Sequence, residues 1–156
     1  MKANDSKNKR RGYFGIGVCH PKTSENIGTL MRSAYQMGAS FVFVIGKRYK
    51  KQASDTCKAF KHIPLIQFST IDDFTGSMLY DCKLVGIEFD ENGKNLPRYQ
   101  HPERAVYILG AEDSGIPKIL KEKIHEFIEI PFVRQPSYNV SVAGSIVMYD
   151  RLSKYE

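Results

Sequence analysis

The chain has 156 residues, a net charge of +6 and a pI of about 9.2, so it is sized for one domain and biased toward a polyanionic partner, nucleic acid first. Its 42% hydrophobic and 26% charged residues exclude a disordered chain, and apolar runs such as Phe41–Ile45 fall far short of the roughly 18 residues of a membrane helix. Cys19, Cys57 and Cys82 form no C-x-x-C pair and, with four scattered histidines, give no zinc-ligand spacing. The N-terminus lacks a signal-peptide apolar core, so the expectation is a cytoplasmic protein with reduced thiols and no metal.

Residues 1–11, MKANDSKNKRR, hold five basic residues and one acid, too little apolar surface to order alone. The expected organisation is a basic, flexible tail over 1–12 and a single domain over 13–156. The tail is either a solvated terminus or an arm that orders on phosphates. YFGIGVCH, 13–20, reads as a first strand in which Gly15 and Gly17 suit close backbone approach. SENIGTLMRSAYQMGA reads as a helix. Ser24 can cap it, Glu25 suits its positive end, Ile27, Leu30, Met31, Ala34 and Met37 recur at helical spacing, and Gly38 stops it.

FVFVI, 41–45, is a buried strand, and GKRYKKQASDT a basic loop leading to a short helix near 54–60. PLIQF, 64–68, is a strand, TIDDFTGSMLY a helix capped by Thr70, and KLVGIEF, 83–89, another strand. A long polar segment, DENGKNLPRYQHPER, leads to the strand RAVYILG, 104–110. Pro117 opens a helix over PKILKEKIHE, FIEIP, 127–131, is the last strand, and a final helix runs from about 139 to 153. This alternation predicts an α/β fold, a mainly parallel sheet with helices on both faces. Ligands in such sheets sit beyond the carboxyl ends of the strands, which directs attention to the loops after 88, 109 and 130.

Three stretches carry candidate chemistry. GAEDSGIP, 110–117, is no Walker A loop, because Ile116-Pro117 stands where Lys-Ser/Thr is needed, and it is not GxGxxG. It is either a tight turn with a solvated Glu112 or a turn whose backbone approaches a ligand between Gly110 and Gly115. In PSYNVSVAGSIVMYDRL, 136–152, Ser137, Asn139 and Ser141 surround a helix start, where free N–H groups serve a cap or an anionic ligand. Gly144 inside that helix points to close packing on another helix or a partner subunit. In NIGTLMR, 26–32, Asn26 and Arg32 lie about 240° apart on an ideal helix, so they share a site only if Asn26 precedes the helix or Arg32 reaches back. An ordinary surface arginine is the plain alternative.

In their order and separations, Asn26-Ile-Gly28 with Arg32, then ILGAEDSG, then IPFVRQPSYNVSVAGSIVMYDRL resemble the three motifs of the SpoU (TrmH-type) branch of the SPOUT RNA methyltransferases. The resemblance covers residues 13–153. It implies an α/β fold with a deep C-terminal trefoil knot, a homodimer, S-adenosyl-L-methionine bound in the knot, and methylation of a ribose 2′-hydroxyl in tRNA or ribosomal RNA. Matched by motif position, Asn26, Arg32, Glu112, Ser137 and Asn139 are the expected catalytic residues. Leu109, Gly110, Glu112, Ile130, Pro131, Tyr138, Val140 and Ala143 are the expected cofactor contacts. Lys47, Arg48, Lys50 and Lys51, with Arg32, are expected to grip RNA, against the plain alternative of a solvated face; Lys58, Lys61 and the tail extend that footprint.

The family assigns its arginine as a base, yet a guanidinium holds its proton, and clamping a phosphate beside a developing alkoxide suits it better. Tyr138 stands where the family often has Leu, and Asp113 where Gly is frequent. The sequence shows no separate RNA-binding domain, so RNA capture is expected to rest on the domain, its partner copy and the tail. The competing expectation is a catalytically idle RNA-binding or assembly protein on the same scaffold.

Overall fold

The computed structural model describes residues 12–46, 61–78 and 81–155. Among them seven strands form one sheet: β1 (Tyr13–Cys19), β2 (Phe41–Ile45), β3 (Leu65–Phe68), β4 (Lys83–Ile87), β5 (Lys94–Asn95), β6 (Arg104–Leu109) and β7 (Glu126–Glu129). Their order is β3-β2-β1-β6-β4-β7-β5, and every pairing is parallel. The helices are α1 (Ser24–Gln36), α2 (Ile71–Gly76), α3 (Lys118–Lys121) and α4 (Val140–Lys154).

Strand alternation divides the core in two, because successive side chains point to opposite faces. Phe14, Ile16 and Val18 of β1, Val42 and Val44 of β2, and Tyr107 and Leu109 of β6 face α1 and α4. Phe41, Phe43 and Ile45, Val106 and Ile108, and Leu84 face α2 and α3, where Phe43 stacks on Phe74 with ring centroids 4.7 Å apart. The glycines of β1 serve this second face. A Cβ on Gly15 would stand 2.2 Å from the Phe41 ring, and one on Gly17 would stand 2.4 Å from the Phe43 ring. The phenylalanine rings fold over the bare glycine backbone.

α1 buries Ile27, Leu30, Met31 and Ala34, the stripe its spacing predicts. Its cap position belongs to Thr23 rather than Ser24, and no side chain bonds there. Gly38, at φ +87, follows its end. Thr70 caps α2 as expected, accepting from Asp73 N–H at 3.1 Å. The helix expected over 117–126 is a single turn after Pro117. His125 draws the chain away into the sheet, donating its N–H to Leu84 and accepting Leu84 N–H at its Nδ1. The polar segment 90–104 hides β5, which covers β7, and a 3₁₀ turn over Leu96–Arg98 that buries Leu96. The helix expected near 54–60, Cys57 and the tail over 1–11 lie outside the described residues.

α4 lies along α1. At Gly144 a Cβ would stand 2.5 Å from a Leu30 methyl, so the close approach expected there is to α1 and the sheet of the same chain. Its far end is held by buried polar groups. Arg151, 2% exposed, donates to the Pro102 and Glu103 carbonyls and to the Tyr107 hydroxyl, and lies over the Phe14 ring. Tyr107 in turn bonds His101 Nδ1 at 2.6 Å, and His101 Nε2 bonds Asp150 at 2.7 Å. Since Arg151 donates to Tyr107, the hydroxyl proton points to Nδ1 and the ring proton sits on Nε2. Lys154 completes the network, pairing with Asp150 and bonding the Leu96 and Tyr99 carbonyls.

Candidate active site

The loop after β6 closes on itself. Ala111 and Gly115 exchange N–H···O bonds of 3.3 and 2.9 Å, leaving Glu112, Asp113 and Ser114 at its tip. Glycine is required at both ends: a Cβ on Gly110 would stand 2.2 Å from the Gly115 carbonyl carbon, and Gly115 has φ +68. Beside it, beyond the carboxyl ends of β6, β4 and β7, opens a cavity of about 590 Å³. That size suits a nucleoside-sized ligand. Its walls are largely apolar, with Ile87, Leu109, Ile128, Ile130, Val140 and Ala143 among them.

At one side of this loop three polar side chains from distant parts of the chain form a closed ring. Asn26, in the first turn of α1, donates from Nδ2 to Glu112 Oε1 at 2.8 Å. Asn139 donates from Nδ2 to Asn26 Oδ1 at 3.1 Å and to Glu112 Oε1 at 3.3 Å. Asn139 Oδ1 faces the other way and caps α4, accepting the N–H groups of Ser141 and Val142 and the Ser141 hydroxyl, the last at 2.7 Å. The cap fixes which way the amide points, and the amide then aims its two N–H bonds at Asn26 and Glu112. The N–H groups expected to be free for a ligand at this helix start are in part taken by Asn139 itself. Capping and site assembly are one arrangement.

Leu109, Gly110, Glu112, Ile130, Tyr138, Val140 and Ala143 line the cavity together. Pro131 does not line it, but its carbonyl accepts the Tyr138 hydroxyl and so closes the 131–138 loop. Ser137 lies on the lining outside the polar ring. Arg32 is exposed on α1 and stands outside the ring, and Asn26 lies within the helix rather than before it. Arg32 does not reach back to Asn26. Lys47, Arg48, Lys50, Lys51 and Lys58 lie outside the described residues; Lys61 is exposed.

The cavity is rich in carboxylates, with Glu88, Glu112, Asp113 and Glu129 on its lining. Lys22 bonds Asp113 at 3.2 Å and holds that carboxyl below its ordinary range. Glu88 pairs with Lys121 at 2.9 Å and accepts Ile116 N–H at 3.0 Å. No cation pairs with Glu112 or Glu129 among the described residues. A mostly apolar cavity edged with unneutralised carboxylates suits an apolar ring joined to a cationic group. The sequence reading missed Glu88, Glu129 and the aromatic side chains Phe89 and Phe132. The available signal was position: each ends β4 or β7 or lies within three residues of the carboxyl end of one of them.

A parallel α/β sheet, a cavity over its carboxyl edge and a polar ring joining three separated segments make this an α/β domain with its candidate site at the carboxyl edge of the sheet. The chain belongs to the SpoU rRNA Methylase family, whose model matches residues 14–149. A putative TrmH family tRNA/rRNA methyltransferase of Staphylococcus saprophyticus is 28% identical over 139 residues, covering 83% of this chain and 54% of that protein. The chain thus spans about half the length of the curated relatives it matches. Among solved structures, the AdoMet-bound rRNA methyltransferase from Sinorhizobium meliloti aligns with a TM-score of 0.78 at 20% identity, over 92% of this chain and 57% of that one. A structure described as giving insights into the 2-OH methylation of C/U34 on tRNA aligns with a TM-score of 0.76 at 17% identity, over 92% and 91%. These likenesses establish the fold.

Proposed function

We propose that the chain is an S-adenosyl-L-methionine-dependent methyltransferase that methylates a ribose 2′-hydroxyl in tRNA or ribosomal RNA. The observation that carries this reading is the ring of Asn26, Glu112 and Asn139 beside the cavity, because the three residues come from the three family motifs and lie 86 and 27 positions apart. The cavity fits the cofactor on its chemistry: apolar walls for an adenine and carboxylates for a cationic sulfonium and ammonium. Leu109, Gly110, Ile130, Tyr138, Val140 and Ala143 are the proposed contacts, with Pro131 acting through its bond to Tyr138. The cofactor, when bound, supplies an electrophilic methyl group.

The remaining work falls to the chain. Transfer to a hydroxyl depends mainly on alignment of the reacting oxygen, so positioning dominates. Glu112 uses Oε1 for the two asparagines and keeps Oε2 to orient a ribose hydroxyl, with Ser137 on the same lip. Arg32 clamps a phosphate of the RNA and stabilises charge that develops on the ribose oxygen. Lys47, Arg48, Lys50 and Lys51 hold further phosphates, so RNA binding weakens steeply with added salt. The trefoil knot and the homodimer belong to the same proposal. A second copy would cover Val142 and Tyr149, two apolar residues of α4 exposed at 47% and 64% and spaced to share one stripe. No helix among the described residues is long and apolar enough to cross a membrane.

The test is transfer of labelled methyl from S-adenosyl-L-methionine to unmodified total RNA, followed by digestion to nucleosides. A labelled 2′-O-methylnucleoside is expected. Cofactor binding by folded protein without transfer to any RNA overturns the enzymatic reading in favour of an RNA-binding protein on the same scaffold.

A further inference from the structure

We propose that Glu88 is a positioning residue that holds the 110–117 loop in the form that binds the cofactor, an inference that rests on the cofactor reading above. Glu88 follows β4 directly, at the strand's carboxyl end, and lines the cavity. Its Oε1 accepts Ile116 N–H at 3.0 Å, and its Oε2 lies 2.9 Å from Lys121 Nζ. One carboxylate therefore joins three elements: the end of β4, the loop after β6, and α3.

The loop is shaped around that carboxylate. A Cβ on Gly115 would stand 2.0 Å from Glu88 Oε1, and the backbone there has φ +68. A side chain at 115 is excluded twice, by conformation and by Glu88. Gly110 is closed in turn, because a Cβ on it would strike the Gly115 carbonyl carbon at 2.2 Å. Glu88, Gly115 and Gly110 thus lie in succession, each in contact with the next. Ala111 and Gly115 then bridge, and Glu112 projects from the loop so formed to the two asparagines. Moving Ile116 off Glu88 displaces both the backbone that lines the cavity and the carboxylate at its edge. Oε2 is buried and accepts no hydrogen bond, so the ion pair with Lys121 at 2.9 Å is its one polar contact among the described residues.

The test compares wild type, Glu88→Ala and Glu88→Gln in two measurements. The first is amide hydrogen exchange of the ligand-free protein at Gly115 and Ile116. The second is calorimetric binding of S-adenosyl-L-methionine, with thermal unfolding as a check on folding. Glu88→Ala is expected to speed exchange at those amides about tenfold or more and to weaken cofactor binding by a similar factor, as loss of a hydrogen bond to a charged group implies. Glu88→Gln keeps an oxygen for Ile116 N–H and is expected to restore both to within about threefold of wild type.

A residue of general structural value would lower the unfolding temperature while leaving the cofactor affinity of the folded protein unchanged. That outcome, or unchanged loop exchange in Glu88→Ala, overturns the proposal. So does Glu88→Gln binding as poorly as Glu88→Ala, which would make the charge and not the hydrogen bond the essential element. Wild type that fails to bind the cofactor overturns the cofactor reading instead, and the exchange measurement still decides whether Glu88 holds the loop.

Discussion

The two ends of α4 carry polar networks of opposite character. At its start, Asn139 caps the helix and reaches half-buried Asn26 and exposed Glu112 beside the cavity through exposed bonds. At its finish, Arg151 and His101 are 2% and 5% exposed and sit among Tyr107, Asp150, Lys154 and backbone carbonyls. The same kinds of bond do different work in the two places. Exposed bonds compete with water and add little stability, so they are free to be arranged for a ligand. Buried ones cannot be broken without leaving groups unsatisfied, so they fix the helix.

The sharpest way to break this division is Arg151→Met. It strips a donor from two carbonyls and a hydroxyl, and about 3 kcal/mol or more of stability should be lost in denaturant unfolding. Arg32→Lys tests the opposite end. It removes the planar fork from an exposed side chain, so methyl transfer should fall by about 100-fold or more while the unfolding midpoint holds. Normal turnover of that variant would sink the clamp role proposed for Arg32.

Asn139→Ala touches both functions of one residue. Loss of the cap should cost about 1 kcal/mol in unfolding, less than Arg151→Met, together with most of the activity. Asn139→Asp keeps the capping oxygen but sets a second carboxylate against Glu112, so it should be nearly as stable as wild type and as inactive as the alanine variant. A greater loss of stability in Asn139→Ala than in Arg151→Met would erase the distinction between the two ends.

The smallest expected effect is on pH dependence. Burial lowers the pKa of His101 below its ordinary 6.5, against the opposing pull of its bond to Asp150. Tyr99, Tyr107, Arg151, Lys154 and Tyr155 also face or flank this ring. The unfolded chain then binds the proton more readily than the folded one. The stability this contributes is present above the unfolded pKa and is lost as pH falls below about 6.5 toward the folded value. Unfolding midpoints measured from pH 7.5 down to about 5.5 should fall more steeply in wild type than in His101→Gln.

The two ends also differed in how far the sequence revealed them. α1 was legible because Ile27, Leu30, Met31 and Ala34 recur at one helical face. β6 and β4 were legible because apolar runs that end in glycine or a charge mark a buried parallel strand. Asn26, Glu112 and Asn139 were legible only as an ordered set of motifs. No local rule joins residues 113 positions apart, as Asn26 and Asn139 are. The buried network stayed hidden. Neither Arg151 nor His101 stood out in the sequence, because the partners of Arg151, and Asp150 for His101, lie 44 to 49 positions away and only the tertiary fold supplies them. β5 was missed because Lys94 and Asn95 carry no alternation in two residues.

The bare backbone of β1 has an evolutionary consequence. Gly15 and Phe41 occupy one shared volume, whereas the Phe43 carbonyl oxygen, 2.3 Å from a Cβ on Gly17, excludes a side chain at 17 whatever stands at 43. Cross-strand aromatics that cover a glycine in this way make up for its missing side chain. Gly15 and Phe41 therefore form a single heritable unit. Gly15→Ala alone overfills the space and Phe41→Leu alone leaves part of it vacant, so each is costly. The two together should cost less than their sum, a case of positive epistasis between neighbouring strands. A lineage drifting at either position reaches new sequences only by changing both.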